Sequence, residues 1–281
     1  MIFNKNSGFV RNFFLYLIYI NKSKMYNKKI GIVILATNAY FVLGLRFIKK
    51  FTHHYKGDSN IKFHFFSDCD PHPYLSDSDS SLVEYHKTSH ESWVEGVGSK
   101  FQNMISLESL DLDYLFYFDA DTNIQHDFTE NWFIGDLVGY EHFGNNDWMK
   151  DVKGFERNSI SKCYIPFDTH LPQMYYGSCL FGGRKGLILK MCKKMLADQS
   201  EDRKIPYEPG VNDESYVNHY FHYNPPTHVI LSINYEFAVS CKGGIGETRN
   251  TSLDVSEYKK NILDRKDEIF DIQHGILSFI N

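Results

Sequence analysis

The sequence predicts an α/β fold built on a parallel, Rossmann-like sheet. Short apolar runs typical of buried strands alternate with segments whose apolar residues recur at helical spacing, and this alternation is the βαβ pattern of parallel sheets. A second observation is size, since 281 residues with 42% hydrophobic content can bury one large core or two closely packed lobes. We therefore expect an ordinary globular protein.

The first half of the chain supplies most of the predicted elements. The first strand, at 29–36, is a nearly continuous aliphatic run, as expected of a strand buried on both faces. A helix at 40–55 follows, because Leu43, Phe47 and Phe51 recur every fourth residue. The next elements are a strand at 61–66, a strand at 81–85, a helix at 99–110 and a strand that ends at Asp119. Residues 127–170 are predicted to be irregular.

Two carboxylates end the last of these strands. Residues 114–121 read Tyr-Leu-Phe-Tyr-Phe-Asp-Ala-Asp, and on an extended backbone Asp119 and Asp121 point the same way. Mn²⁺ or Mg²⁺ held by this pair would keep open positions for substrate phosphates, at the strand ends where open α/β sheets bind ligands. The alternative is plain turn chemistry, in which Thr122 and Asn123 extend a polar loop.

Composition and charge exclude several classes of function. The net charge of -5 and the pI of about 6.2 argue against a nucleic-acid partner and against an anionic membrane surface. Five scattered cysteines without Cys-x-x-Cys spacing argue against a disulfide framework and a zinc site, and they favour a reducing compartment. The sequence has no glycine-rich dinucleotide motif and no P-loop, so the backbone of 36–38 is the candidate nucleotide-binding loop.

The N-terminus contains an apolar run at 13–20, after Lys5 and Arg11. A membrane-spanning helix needs about 20 apolar residues, and this run also lacks a small-residue cleavage site. We interpret it as an N-terminal helix that packs on the domain, with an interfacial segment as the alternative. The expected location is the cytoplasm, with at most peripheral contact between the N-terminus and the inner membrane.

The segment 175–183 places small residues between aromatic ones. It reads Tyr-Tyr-Gly-Ser-Cys-Leu-Phe-Gly-Gly, a pattern expected of a wall where a flat ligand such as a sugar lies against the backbone. The alternative interpretation is a tight turn that joins two strands.

A second polar segment, Asn212, Asp213 and Glu214, precedes an apolar helical run. As structural residues they would be an N-cap followed by two acids at the positive end of the helix dipole. As functional residues they include Glu214, our candidate for the acidic group that retaining sugar transfer requires near the anomeric carbon. In the same run, His219 and His222 are interpreted as solvated or core histidines rather than as metal ligands.

The order and spacing of these motifs resemble glycosyltransferase family 6. This family comprises retaining α-1,3-galactosyl- and N-acetylgalactosaminyltransferases, including the histo-blood group A and B enzymes and soluble bacterial relatives. The resemblance extends from about residue 30 to about residue 235. Its carriers are Ile34–Thr37 with Tyr40, Asp113–Leu115, Asp119–Asp121, Phe155–Arg157, Tyr164–Pro166, Tyr175–Gly183, Asp213–Ser215 with Asn218, and Pro226–Val229 before Leu231 and Ser232.

The resemblance implies a GT-A fold and a UDP-sugar donor, either UDP-galactose or UDP-N-acetylgalactosamine. Asp119 and Asp121 would bind Mn²⁺ (or Mg²⁺) against the diphosphate, and Glu214 takes the place of the family's proposed nucleophile. The residues implied for donor binding are Leu35, Ala36, Thr37, Tyr40, Lys100, Asp119, Ala120, Asp121 and Asp213. The stretch implied for donor and acceptor selectivity is Gly177, Ser178 and Cys179.

The chain departs from the family pattern at several positions. Many bacterial members resemble Asn-x-Asn at the metal position and work without metal, whereas both carboxylates here favour metal dependence. Val211 and Asn212 stand where mammalian members have tryptophan and histidine, and Lys100 stands where the family has an arginine. Gly177 leaves room for an acetamido group, while Cys179 is larger than the glycine expected of a strict N-acetylgalactosamine enzyme. The balance favours N-acetylgalactosamine slightly.

The implied organisation is a single GT-A domain at 29–281 after an N-terminal segment, 1–28. Residues 29–126 would form mainly the UDP-binding half, 127–240 the acceptor and catalytic half, and 241–281 a tail that closes over the diphosphate. The basic residues available in that tail are Lys259, Lys260, Arg265 and Lys266.

The implied function is metal-dependent hexosyl transfer from the UDP-sugar in α-1,3 linkage to a β-galactoside acceptor, including fucosylated ones. Two rival classes use the same residues differently. A nucleotide-sugar hydrolase or nucleotidyltransferase would use the same metal site without a sugar acceptor. A non-catalytic glycan-binding module would bind sugar regardless of UDP and Mn²⁺.

Overall fold

A seven-stranded mixed sheet with helices on both faces organises the chain. The computed structural model describes residues 27–38, 40–90, 93–124, 127–132, 134–142, 154–167, 174–205, 207–230 and 237–239. The strands are β1 (Lys29–Leu35), β2 (Asn60–Ser67), β3 (Val83–Lys87), β4 (Tyr114–Asp119), β5 (Thr122–Ile124), β6 (Leu137–Glu141), β7 (Tyr176–Arg184), β8 (His228–Ile230) and β9 (Phe237–Val239). The helices are α1 (Tyr40–His54), α2 (Asp77–Ser81), α3 (Trp93–Ser106), α4 (Lys185–Asp202) and α5 (Asn212–Tyr223).

The large sheet has the strand order β3-β2-β1-β4-β7-β6-β8, and β5 pairs with β9 in a separate two-stranded sheet. The first four strands are parallel, which confirms the predicted Rossmann-like half. The sheet is mixed as a whole, because β7, for which no direction was predicted, runs antiparallel to both β4 and β6. Among the described residues between β4 and β7 there is no α-helix, so the βαβ pattern that makes neighbouring strands parallel ends at β4.

Several predicted boundaries need correction. Strands β1, β2 and β4 and helix α1 lie within one residue of the predictions, whereas the third strand begins at Val83 because 77–81 is helical. Ser76 caps that short helix by accepting a hydrogen bond from the Asp79 backbone N–H at 3.2 Å, a Ser-x-x-Asp signal that the strand prediction overlooked. Helix α3 begins six residues earlier than predicted and ends four earlier, and β6 lies inside the segment predicted to be irregular.

The core has one apolar layer on each face of the sheet. In β1, Ile30, Ile32 and Ile34 point to one layer, together with the aromatic face of α1, whereas Val33 points to the other. The second layer holds the apolar faces of α3, α4 and α5. Because β1 is covered on both sides, its sequence is continuously apolar, as predicted. The carboxyl ends of β1, β2 and β4 remain at one edge of this core.

Some of the predictions fall on residues that the structure does not describe. These are most of the N-terminal segment, 1–26, and the tail from 240, with its four basic candidates. The division into functional halves also stays a prediction. Within the described residues, none of the helices has both the length and the apolar character that crossing a membrane requires.

Candidate active site

The carboxyl ends of β1 and β4 bring two groups of predicted residues to the same edge of the sheet. Leu35 pairs in register with Asp119 at the ends of these parallel strands. The Asp119 side chain is 28% exposed, and its Oδ1 accepts a hydrogen bond from the Tyr117 hydroxyl at 2.9 Å. Strand β4 ends there, so Ala120 and Asp121 form a turn rather than a continued strand. The premise that both carboxylates project from extended backbone is therefore wrong for Asp121.

Asp121 is buried, and its backbone carbonyl accepts a hydrogen bond of 3.5 Å from the guanidinium of Arg46 in α1. Burial lowers the pKa of Arg46, and the charge of Asp121 partly offsets that effect. This contact ties the turn after β4 to the helix after β1. A buried hydrogen bond from α1 therefore stabilises the turn that carries Asp121.

The loop after β1 carries the residues predicted to hold the nucleotide. Ala36 is buried, and its carbonyl accepts a hydrogen bond of 2.7 Å from the Ser67 hydroxyl at the end of β2. Thr37 accepts from the Tyr40 backbone N–H at 3.1 Å, where α1 begins. The Asn38 N–H donates to Asp68 at 2.9 Å, which joins this loop to the one after β2. The predicted loop therefore lies at the same sheet edge as Asp119.

Lys100 of α3 lies between the two acidic segments of the site. Its ammonium is 2.6 Å from Asp213 Oδ2 and 3.7 Å from Asp119 Oδ1, and it lies 4.5 Å from the centre of the Tyr117 ring. It also donates a long hydrogen bond of 3.5 Å to the Ser178 carbonyl. Burial alone would lower the pKa of Lys100, but the charges of Asp213 and Asp119 raise it above its ordinary value. Lys100 is therefore a permanent buried cation.

Glu214 lies in the first turn of α5, beside β7. Its Oε2 accepts a hydrogen bond of 3.0 Å from the Ser178 backbone N–H, and its carboxylate also accepts a hydrogen bond from the Tyr175 hydroxyl. Burial raises the pKa of Glu214 to about 7, against the opposing effect of these two hydrogen bonds. A carboxyl group with this pKa is divided between its acid and carboxylate forms at neutral pH.

Asn218, one turn further along α5, fixes the helix to β7. Its side chain accepts from the Tyr176 backbone N–H and donates to the Tyr176 carbonyl, both at 2.8 Å, and it also donates to the Glu214 carbonyl at 2.9 Å. The predicted helix is confirmed, but the interpretation of Asn212 as its N-cap is wrong. Val211 holds the cap position, and Asn212 is the first helical residue, with a left-handed φ of 44°.

The segment of alternating small and aromatic residues forms strand β7, so its interpretation as a turn between strands is wrong. Two of its glycines have structural reasons. A Cβ at Gly182 would approach the Phe116 ring to 2.0 Å, and the φ of +141° at Gly183 is a conformation that favours glycine. Gly177 differs, because a Cβ there would meet Cys179 Sγ at 3.1 Å and the Tyr140 ring at 3.3 Å. Adding a methyl group at Gly177 would therefore crowd the side chain of Cys179.

A cavity of about 480 Å³ adjoins this cluster on the side of Asp213. Its lining combines polar and aromatic side chains with two helix ends, and it includes Gln199, Arg203, Tyr207, Asn212, Asp213 and Tyr216. Its volume lies within the range of pockets that hold small ligands.

The donor set at the end of β4 fits a hard divalent cation. Asp119 and Asp121 offer carboxylate oxygens, the ligands that Mn²⁺ and Mg²⁺ prefer, and Asp119 is accessible from solvent. The interpretation of His219 and His222 as solvated or core histidines stays a prediction. Within the described ranges, neither belongs to a group of three side chains able to share a metal ion.

Three residues of this cluster were not assigned to the site from the sequence, although Asn218 and Tyr175 belong to motifs that carried the family resemblance. Tyr117 lies two residues before Asp119 on the same strand, so the strand period of two places both on one face. Asn218 lies four residues after Glu214, on the same face of the helix. No residue spacing predicts the contact between Tyr175 and Glu214, because it joins segments that are distant in the sequence.

The family model described as Glycosyltransferase family 6 matches residues 16–261, which is most of the chain. The chain belongs to glycosyltransferase family 6. The resemblance inferred from the motifs is thereby confirmed, as is a GT-A-like α/β fold.

Three relatives are similar over part of their length. The O-antigen biosynthesis glycosyltransferase WbnI of Escherichia coli is 29% identical over 128 residues, which cover 44% of this chain and 52% of WbnI. The histo-blood group ABO system transferases 1 and 2 of Rattus norvegicus are 26% and 25% identical over 214 residues, 74% of this chain. Those alignments cover 60% and 63% of the rat proteins, so the chain matches less than two thirds of each relative.

Proposed function

We propose that the chain is a retaining hexosyltransferase of the α-1,3 type. It transfers N-acetylgalactosamine or galactose from a UDP-sugar to a β-galactoside acceptor, including fucosylated acceptors. The observation that carries this proposal is the position of Glu214, a half-buried carboxylate held by Ser178 and Tyr175 next to the Lys100–Asp213 ion pair. Membership of glycosyltransferase family 6 supports the same class of reaction.

Glu214 is proposed to act at the anomeric carbon of the donor. Retaining transfer needs a negatively charged group there, either as a nucleophile or as a stabiliser of oxocarbenium-like charge. The Ser178 N–H and the Tyr175 hydroxyl orient the carboxylate and stabilise its charged form. The proposal covers both a covalent intermediate and front-face attack, because each requires the ionised carboxylate at this position.

Asp213 and Lys100 are proposed to position the donor. Asp213 would contact the donor sugar through its carboxylate, and Lys100 fixes that carboxylate at 2.6 Å. The same ammonium lies 3.7 Å from Asp119, so its positive charge is close to the predicted place of the diphosphate. Charge of this sign stabilises a phosphate leaving group in a water-excluded site.

Asp119 and Asp121 would hold Mn²⁺ or Mg²⁺ against the diphosphate. Bound there, the cation would offset the negative charge that develops on departing UDP. The uridine would lie against the loop after β1, on Leu35, Ala36, Thr37 and Tyr40, with Ala120 beside the ribose or diphosphate. This arrangement follows the general placement of ligands at the carboxyl ends of strands in open α/β sheets.

Donor selection is proposed to depend on Gly177, Ser178 and Cys179. Gly177 is the small residue that an acetamido group would require, whereas Cys179 Sγ and the Tyr140 ring, 3.1 and 3.3 Å from the position of a Cβ, narrow the space beside it. We retain a slight preference for N-acetylgalactosamine.

The test is release of UDP from UDP-galactose and from UDP-N-acetylgalactosamine. Each donor is assayed with plain and fucosylated β-galactosyl acceptors, in Mn²⁺ or in EDTA. The proposal predicts release that requires an acceptor and is lost in EDTA. Release at the same rate without an acceptor would indicate a hydrolase, and sugar binding without any release would indicate a glycan-binding module.

A further inference from the structure

Three metal-ligating side chains lie together on β2 and β3, at the β3 edge of the sheet. His64 of β2 pairs in register with Glu84 of β3, and His86 is two residues further along β3. Paired residues on neighbouring strands share a face, as do residues two apart on one strand, so all three side chains project from the same face. Among the described residues, these three make the only group of three or more His, Cys, Asp or Glu side chains whose ligand atoms are mutually within 4.8 Å.

From this geometry we propose that His64, Glu84 and His86 form a binding site for a divalent transition-metal ion, with zinc as the expected occupant. The ligands would be His64 Nδ1, His86 Nε2 and a carboxylate oxygen of Glu84. The fourth position would be taken by water. This site is independent of the proposed function and of the hard-cation site at Asp119 and Asp121.

The three ligand groups are nearly as close together as the ligands of a tetrahedral zinc site. His64 Nδ1 is 3.2 Å from His86 Nε2 and 3.6 Å from a Glu84 oxygen, and the His86 nitrogen is 3.8 Å from the other Glu84 oxygen. Ligands about 2.0–2.2 Å from a zinc ion at tetrahedral angles are about 3.3 Å apart. Small rotations of the half-exposed Glu84 therefore suffice to close the site.

The surroundings fix the rings while leaving the site open to an ion. The His64 side chain is 1% exposed, whereas those of His86 and Glu84 are 23% and 44% exposed. His86 stacks on Phe66 with ring centres 4.4 Å apart and planes at 13°. Strand β3 is the edge strand of the sheet, so the ligands on it are reached from solvent.

The ligand chemistry favours zinc over Mg²⁺ or Mn²⁺. Imidazole suits zinc and its neighbours in the first transition series, whereas Mg²⁺ prefers oxygen ligands alone. The cysteine spacing that argued against a zinc site has no bearing on a site built from histidine and glutamate. The competing explanation is a metal-free hydrogen bond between the two imidazoles.

The test uses the full chain carrying Asp121→Asn, which removes a ligand of the proposed active-site metal. After EDTA treatment and dialysis, zinc is titrated by calorimetry, and thermal unfolding is followed with and without zinc. The proposal predicts one equivalent of bound zinc and a rise in Tm. Loss of outer-shell partners alone costs about 10–100-fold in metal affinity, so His86→Gln is expected to weaken zinc binding at least about tenfold.

Two further variants make the result decisive. Glu84→Gln changes an accessible side chain, so it tests the site even if His86→Gln perturbs packing on Phe66. His72→Gln removes a histidine that pairs with Asp70 outside the cluster, and it is expected to leave zinc binding unchanged. Equal zinc affinity in the Asp121→Asn chain with and without His86→Gln and Glu84→Gln would overturn the proposal and leave the hydrogen-bonded histidine pair.

Discussion

Two opposing effects determine the pKa of Glu214. Burial favours its neutral form, whereas the Ser178 N–H and the Tyr175 hydroxyl favour the carboxylate. Burial prevails, and the pKa of Glu214 rises to about 7. A carboxyl group with a pKa near 7 changes its charge within the physiological pH range. Such a pKa is typical of catalytic groups. It is unfavourable for a residue that only interacts with a helix dipole, because that interaction requires the charged form.

The substitution Glu214→Gln keeps the shape of the side chain and removes its charge. An amide can still accept the Ser178 hydrogen bond, so the fold and UDP binding should survive, whereas turnover should fall by about 10²–10³-fold. Steady-state kinetics and calorimetric titration with UDP measure the two effects. Glu201→Gln, on the exposed end of α4, is the matched control. Turnover equal to that of the control would remove Glu214 from the mechanism.

The raised pKa also predicts how activity and stability depend on pH. Glu214 must be ionised to act at the anomeric carbon, so kcat/KM should rise with pH and level off above an apparent pKa near 7. Because its pKa is higher in the folded than in the unfolded chain, the stability it contributes is present below the unfolded value and is lost as pH rises through 7. Glu214→Gln should therefore be more stable than the wild type at pH 8, as denaturant titration would show. If kcat/KM of the wild type does not fall as the pH is lowered below 7, Glu214 does not act as the ionised group at the anomeric carbon.

At the scale of elements, the site depends on contacts between segments that are distant in the chain. The Lys100–Asp213 ion pair joins α3 to α5, and Asn218 joins α5 to β7. The turn after β4 is tied to α1 by Arg46. These contacts place Asp213 of α5 and Asp119 of β4 around one buried ammonium.

Replacing the buried ammonium should destabilise this junction. Lys100→Met leaves the Asp213 carboxylate buried without its cation, which costs about 3–5 kcal/mol when one partner of a buried pair is removed. Denaturant unfolding of Lys100→Met, Asp213→Asn and the double variant forms a thermodynamic cycle. The double variant is expected to recover part of the loss, since the buried charge of Asp213 is then removed together with its cation. If the double variant instead loses as much free energy of unfolding as the two single variants together, the ion pair does not couple the helices.

The turn after β4 gives the prediction on metal dependence. Asp121→Asn preserves size and removes a charged ligand, so Mn²⁺-dependent turnover should be abolished while the fold is kept. Asp127→Asn, an exposed aspartate a few residues further on, serves as the control. The rates are measured across a Mn²⁺ titration. Retention of wild-type, metal-stimulated rates in Asp121→Asn would remove that residue as a ligand.

The sequence predicted the parts of this site that depend on local pattern. The apolar strand ending at Asp119 and the helix beginning near Glu214 are both readable from residue spacing. The partners Tyr175, for Glu214, and Asp213, for Lys100, were not predicted, because those contacts are set by tertiary packing. The antiparallel direction of β7 was missed for the same reason, since strand direction depends on the connection rather than on the strand's own residues.

At the scale of the whole molecule, two sets of functional candidates lie on different strands of one sheet. The carboxyl ends of β1 and β4 and the adjoining end of β7 carry the proposed transfer site, and the β2–β3 edge carries the proposed zinc site. The two proposed sites would use different ligand chemistry, carboxylate oxygens alone in one and two imidazoles with one carboxylate in the other. They can therefore be tested separately by the choice of metal and of variant.

The central claim is that the chain transfers a sugar with retention of its anomeric configuration. The most direct measurement is the NMR spectrum of the product formed from a UDP-sugar and a β-galactoside acceptor. The small H1–H2 coupling of an α-linked sugar, with its linkage at O3 of the acceptor galactose, is the result we predict. A large coupling, which marks a β-linked product, would contradict retention and with it the role assigned to Glu214.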